Sequence, residues 1–193
     1  MAGLRFHLAL FAAKCSSILI HLLGKNASHT PGVIALKICP NFMSIAPKAP
    51  TVICVTGTNG KTTVSNLLTD ALKADGKRVV NNRTGSNIVP GCTTNLINSL
   101  NWFGKCVVDA AVYEVDERAS RLILPYLRPD YLVVTNLFRD SLKRNAHPDY
   151  IFSVIDTYCP DTTKLILNAD ELCSSMLKPN NERVYYGIDL YCE

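Results

Sequence analysis

The sequence predicts an α/β fold, a mainly parallel sheet with helices on both faces, preceded by an N-terminal helix. Three observations carry this reading. From residue 51 onward, short apolar runs alternate with helix-length segments, the rhythm of consecutive β-α-β units. Two of those runs, 51–56 and 107–115, are apolar almost throughout, as strands buried on both faces are. The first of them passes through a glycine-containing loop directly into a helix.

Length and composition agree with a single such domain. At 193 residues the chain can bury a real core but cannot hold two large domains. Apolar residues make up 48% and charged residues 19%, which excludes intrinsic disorder. The 20 basic and 16 acidic residues leave a net charge of +4, too small to call for nucleic acid, and no such partner is expected. Eight cysteines are scattered along the chain with no C-x-x-C pair. They read as reduced thiols, which points to the cytoplasm.

Taken in order, residues 4–23 are rich in Leu, Ile, Phe and Ala. Lys14, Ser16, Ser17 and two histidines interrupt the run, and no small-residue cleavage pattern precedes Gly24-Lys25-Asn26, which argues against a signal peptide. Leu4, Leu8, Phe11, Cys15, Ile18 and Leu22 recur at helical spacing, so the expected element is an amphipathic helix packed on the domain through one apolar stripe. The alternative is a helix on a membrane surface, where Arg5, Lys14 and Lys25 meet anionic lipid. Residues 26–50 contain Pro31, Gly32, Pro40, Pro47 and Pro50 and are expected as an extended connector with a short strand at 33–38. Residues 1–50 thus form a leader and 51–193 the domain proper.

Within that domain, strand 51–56 leads to a helix at 61–74 that stops at Asp75-Gly76. A short strand at 78–81 is followed by a polar loop, 82–93, with Gly85, Pro90 and Gly91. Helix 94–103, strand 107–115, helix 117–127 and strand 131–135 come next. Helix 149–158, strand 164–167, helix 170–177 and strand 183–186 complete the pattern.

The sharpest chemical signal is Thr56-Gly57-Thr58-Asn59-Gly60-Lys61-Thr62-Thr63, between a buried strand and a helix. Two glycines let backbone N–H groups turn toward phosphate oxygens, and the helix start adds unpaired donors and the positive end of a dipole. Lys61 is placed to reach β- and γ-phosphates, and the Thr62 hydroxyl suits Mg²⁺. The general phosphate-loop pattern asks for glycine at position 55, where this chain has Val55, so the loop is a variant. A second signal is Tyr113-Glu114-Val115-Asp116-Glu117, where an apolar strand ends in three carboxylates. Ligands of open parallel sheets bind beyond such strand ends, so Glu114 is the candidate Mg²⁺ ligand, although acids at a helix start are also common for structural reasons. Asn136 and Asp140 follow a third strand, and Asn168 and Asp170 a fourth, so Asn136, Asn168 and Asp170 are candidate nucleotide contacts. Asp170 serves equally well as a helix cap. In the loop after the second strand, Arg83 is placed to orient an anionic substrate.

These motifs resemble the Mur ligases, whose variant phosphate loop lacks the first glycine, as position 55 does here. The resemblance extends over nearly the whole chain and is strongest to the MurT branch. The stretches 113–117, 136–140 and 82–87 and the leader are similar to that branch. The resemblance implies an ATP-binding central domain of P-loop NTPase-like fold. ATP and Mg²⁺ would be its cofactors, with Gly57, Thr58, Asn59, Gly60, Lys61, Thr62 and Thr63 on the nucleotide, Thr62 and Glu114 on the metal, and Lys61 and Glu114 catalytic. Arg83, Asn87 and Asp140 would face substrate. Ser141 stands where ordinary Mur ligases carry a metal-binding histidine. The implied reaction is amidation of the D-glutamate α-carboxylate of lipid II through an acyl phosphate, with ammonia from a GatD-type glutamine amidotransferase subunit. Zinc would be bound only in an insertion beyond residue 193, so the chain is expected to be the N-terminal portion of a longer enzyme. A non-catalytic interaction module and a P-loop switch are the rival classes. A switch would want an Asn-Lys-x-Asp base-reading motif, which is absent from the sequence.

Overall fold

A computed structural model describes residues 3–83, 86–137 and 148–188. The chain opens with three helices, α1 (Leu4–Leu22), α2 (Thr30–Ile38) and α3 (Phe42–Ile45). Strands β1 (Thr51–Thr56), β2 (Val79–Asn81), β3 (Ala110–Glu114), β4 (Tyr131–Val134), β5 (Lys164–Asn168) and β6 (Arg183–Tyr186) follow. Between them lie α4 (Lys61–Ala74), α5 (Val89–Asn98), α6 (Ser120–Leu127), α7 (Pro148–Tyr158) and the short α8 (Leu172–Ser175).

All six strands pair in parallel, in the order β2-β3-β1-β4-β5-β6. From β1 the chain first builds to one side and then to the other, so the order reverses there. At such a reversal the connections leave in opposite directions, and a crevice opens at the carboxyl ends of the strands. Register sets Val55 beside Glu114, Thr56 beside Val134, and Val134 beside Leu167. The polar residues that end these strands therefore share one edge of the sheet.

Alternation along each strand divides two cores. Cys54, Tyr113, Leu132 and Leu165 point into the larger one, with Phe6, Phe42, Leu96, Ile123 and Ile155 from the helices. Val55, Val112 and Val133 point to the other face, where Val64, Leu68 and Leu72 of α4 cover them. Helices thus occupy both faces, but unequally.

Two expectations about the helices are corrected. Residues 33–38 belong to α2 rather than to a strand, and α5 begins at Val89, inside the stretch expected as a loop. The cause is shared. Pro31 and Pro90 sit in the first turn of their helices, where a missing N–H breaks no bond and a fixed φ favours the helix. The third correction concerns α1. It packs on the domain, but through Phe6, Ala9, Leu10 and Ala13, all buried. The expected stripe faces outward instead, with Leu4 78% and Leu22 79% exposed. Because α1 is apolar around most of its circumference, spacing could not choose the face. The small side chains of Ala9 and Ala13, against Ala35 in the same core, chose it by allowing close approach.

Candidate functional site

The loop after β1 is shaped by a contact that excludes any side chain at its first position. Gly57 has φ +127°, and a Cβ there would lie 2.2 Å from Thr135 Oγ1 and 2.8 Å from the Asn136 carbonyl oxygen. The end of β4 then grips the loop. Thr58 N–H donates to the Asn136 carbonyl (2.8 Å), Asn59 N–H to Asn136 Oδ1 (3.0 Å), and Thr135 Oγ1 to the Asn59 carbonyl (2.6 Å). Gly60, left-handed at φ +80°, makes the N-cap of α4 without a side-chain cap. The first turn of α4 holds no acidic residue, so its unpaired N–H groups and the positive helix end carry no internal counter-charge.

Lys61 lies over this loop. Its ammonium donates to the carbonyls of Gly57 and Thr58 and to Glu117 Oε1, the last at 2.9 Å. Both side chains of the ion pair are largely sheltered, at 13% and 14% exposure, so water screens it less than a surface pair. Thr62 and Thr63 are exposed beside it.

The three carboxylates at and just past the end of β3 separate into three roles. Asp116 accepts the N–H groups of Arg118 (3.0 Å) and Ala119 (3.1 Å) and shapes the turn before α6. Glu117 takes Lys61. The Glu114 carboxylate accepts a hydrogen bond from Asn87 Nδ2 at 3.3 Å. The backbone of Glu114 is held from the side by Asn82, which accepts its N–H (2.8 Å) and donates to its carbonyl (2.9 Å), completing the pairing where no strand reaches.

The remaining candidates are placed as follows. Asn136 is bound to the loop backbone, as above, and its amide also donates to the Asn59 carbonyl at 3.3 Å. Asn168 donates to the Thr135 carbonyl (2.9 Å) and accepts the Asp170 N–H (2.9 Å). Asp170 accepts the Ile188 N–H at 2.9 Å. It does not cap α8. Glu171 does, accepting the N–H groups of Cys173 and Ser174. Burial alone would push the Glu171 carboxyl up, but the Ser174 and Cys173 donors outweigh it and hold the group below its usual range. Arg83 is tied to α4, donating to Asn66 Oδ1 and Asp70 Oδ2, each at 2.7 Å. Asp140 and Ser141 lie outside the described residues.

The donor set fits a polyphosphate with one cation. The open N-terminus of α4 and the Lys61 ammonium suit anionic oxygens. The buried Thr56 hydroxyl oxygen, at the end of β1, has no hydrogen-bond partner among the described residues. Among the described residues no three His, Cys, Asp or Glu side chains gather into a metal site. A cation here would rest on one carboxylate, Glu114, and one hydroxyl, Thr62, with water and phosphate completing its shell, which is the habit of Mg²⁺.

Sequence reading gave Asn82 and Thr135 no role of their own and Glu117 no partner. Their partners are 32, 76 and 56 positions away. The one local signal was a polar residue at or just past the end of β1 to β5.

Comparison with known proteins supplies an independent line. Residues 55–189 match the Mur ligase middle domain. Over 185 residues the chain is 34% identical to the MurT subunit of lipid II isoglutaminyl synthase (glutamine-hydrolyzing) from Staphylococcus aureus (strain COL), covering 94% of this chain and 40% of that protein. Identity to the MurT subunit from Streptococcus pneumoniae (strain ATCC BAA-255 / R6) is 30% over 192 residues, with 97% and 42% covered. The chain therefore spans about two-fifths of the length of these relatives. Among solved structures, a pseudomurein peptide ligase type C from Methanothermus fervidus superposes with TM-score 0.61 at 25% identity, over 78% of this chain and 30% of that one. MurF from Acinetobacter baumannii shares the fold at TM-score 0.62 and 17% identity, over 79% and 34%.

Proposed function

This chain belongs to the Mur ligase family through its middle domain, and on that premise we propose that it is the ATP-binding portion of an amide-forming ligase of the lipid II isoglutaminyl synthase type. One observation carries the reading. Lys61 stands at the mouth of a two-glycine loop, at the uncapped N-terminus of α4, where the strand order reverses. The likeness to the MurT subunits supports the same direction. In this reading residues 51–193 serve as the nucleotide-binding domain and residues 1–50 as its leader.

The reaction is amidation of the D-glutamate α-carboxylate of lipid II. A carboxylate repels nucleophiles, and ATP, when bound, supplies the phosphoryl group that makes it an acyl phosphate open to attack by ammonia. The chain's own residues do the positioning. The N–H groups of 60–63, at the uncapped start of α4, and the Lys61 ammonium bind phosphate oxygens and neutralise charge that builds up on them, and each such contact is typically worth ~10²–10³ in rate. Thr62 and Glu114 would hold Mg²⁺, which would offset phosphate charge, and Asn87 orients Glu114. Asn136 keeps the loop in shape, while Asn168 and Asp170 line the same sheet edge. Arg83 and Asp140 are assigned to the acceptor side. A GatD-type glutaminase subunit provides ammonia, and the complete enzyme works in the cytoplasm at the inner face of the membrane.

Titration of the chain with fluorescent ATP and GTP analogues in the presence of Mg²⁺ tests this. Preference for ATP, lost in Lys61→Ala with the circular dichroism spectrum unchanged, is the expected result. Preference for GTP, or binding indifferent to Lys61, overturns it.

A further inference from the structure

We propose that the outer face of α1, extended by Trp102 and Phe103, docks on an anionic lipid surface. The face is large and apolar. Leu4, Leu8, Phe11, Ile18 and Leu22 lie along it, each at least half exposed. A helix that packs by one side on a soluble domain normally turns polar residues to water, and a contiguous apolar patch marks an interaction site. No helix among the described residues is long and apolar enough to cross a membrane, so α1 would lie along a surface rather than span it.

The loop between α5 and β3 enlarges the patch. The Trp102 ring lies 5.8 Å from that of Phe11, and Phe103 is 79% exposed. Gly104 makes this seating feasible. Its φ is +75°, and a Cβ there would lie 2.7 Å from Phe6 Cε1, so only glycine lets the loop close onto α1. Two aromatic rings thus stand beside a ridge of aliphatic side chains, the composition that membrane interfaces favour.

Charge selects the occupant. No Asp or Glu occurs before Asp70, while the first 69 residues carry Arg5, Lys14, Lys25, Lys37, Lys48 and Lys61. The +4 of the whole chain therefore leaves −2 for the rest. On α1, Arg5 and Lys14 fall about a quarter turn to either side of the apolar ridge, given 3.6 residues per turn. Lys14 Nζ also lies 5.7 Å from the Trp102 ring centroid. Basic side chains flanking an apolar ridge can reach headgroups while the ridge enters the acyl boundary. A second copy of this chain fits poorly, because its own Arg5, Lys14 and Lys25 would be brought against these with no acid on either face.

Trp102 is the sole tryptophan, so it reports on its own surroundings. The test mixes the chain with vesicles of equal parts phosphatidylcholine and phosphatidylglycerol, or of phosphatidylcholine alone, and reads Trp102 emission and co-sedimentation. A blue shift and sedimentation with the anionic vesicles, weakened by added salt and absent with the neutral ones, is the expected result. Leu8→Glu with Leu22→Glu abolishes both signals, and Arg5→Gln weakens sedimentation roughly fivefold. Circular dichroism confirms that the variants fold. Equal binding to both vesicles, binding untouched by the double variant, or no vesicle binding overturns the proposal. So does concentration-dependent dimerisation that the double variant removes while vesicles stay unbound.

Discussion

Lys61 and Glu117 form an ion pair of 2.9 Å across 56 positions of sequence, and it closes over the loop that follows β1. The ammonium that a phosphate would need is thus already neutralised. An entering polyphosphate must take Lys61 from Glu117, or bring a cation that accommodates both. Glu117→Gln is therefore expected to bind metal-free ATP about fivefold more tightly, a gain of ~1 kcal/mol. Fluorescence titration in chelator measures it, and weaker binding by the variant would show that Glu117 helps to hold nucleotide instead.

Asn82 stands in for a missing strand beside Glu114. Asn82→Ala strands the Glu114 N–H at the end of β3 and leaves its carbonyl with the weak Cys92 thiol donor. Each unmet group costs about 1–3 kcal/mol, so the expected loss in urea denaturation is ~2–4 kcal/mol. An unchanged midpoint would mean that water replaces the side chain.

Gly57 cannot take a side chain without moving β4. Gly57→Ala combines an unfavourable φ with a 2.2 Å approach to Thr135 Oγ1. We expect a loss of about 2–4 kcal/mol and a weakened nucleotide site. Denaturation and the ATP titration report the two effects separately. Wild-type stability with normal binding would show that the loop yields at little cost.

Asp109 anchors the starts of two strands. Hydrogen bonds from the Arg78 side chain, and then from its backbone N–H, hold the Asp109 carboxyl at about 2. The folded value lies below the unfolded one of ~3.9, so the folded state binds fewer protons between them. The stabilising effect is present above pH ~4 and disappears as pH falls toward 2. Stability of wild type minus that of Asp109→Asn, followed from neutral to acid pH, should shrink across that window. High salt should shrink it too, because the pair is exposed. A difference that stays constant with pH contradicts the assignment.

Much of the architecture was legible because it follows from short-range pattern. Buried runs such as 51–56 announced strands, and Gly57 to Lys61 announced a tight turn into a helix. The two prolines read as breakers, Pro31 and Pro90, were misplaced because the same ring stops a helix from inside and starts one at its first turn. Local sequence holds both outcomes.

Chain chemistry alone settled the order of strands and helices from residue 51 onward, the parallel sheet and the polar residues at its carboxyl edge, since each depends on residues a few positions apart. Packing decided the rest. It turned α1 onto its alanine face and left the leucine ridge outside, it gave Asp116, Glu117 and Glu114 different partners, and it set Asn82 beside β3. Those choices turn on shape and distance between segments far apart along the chain, which no periodicity encodes.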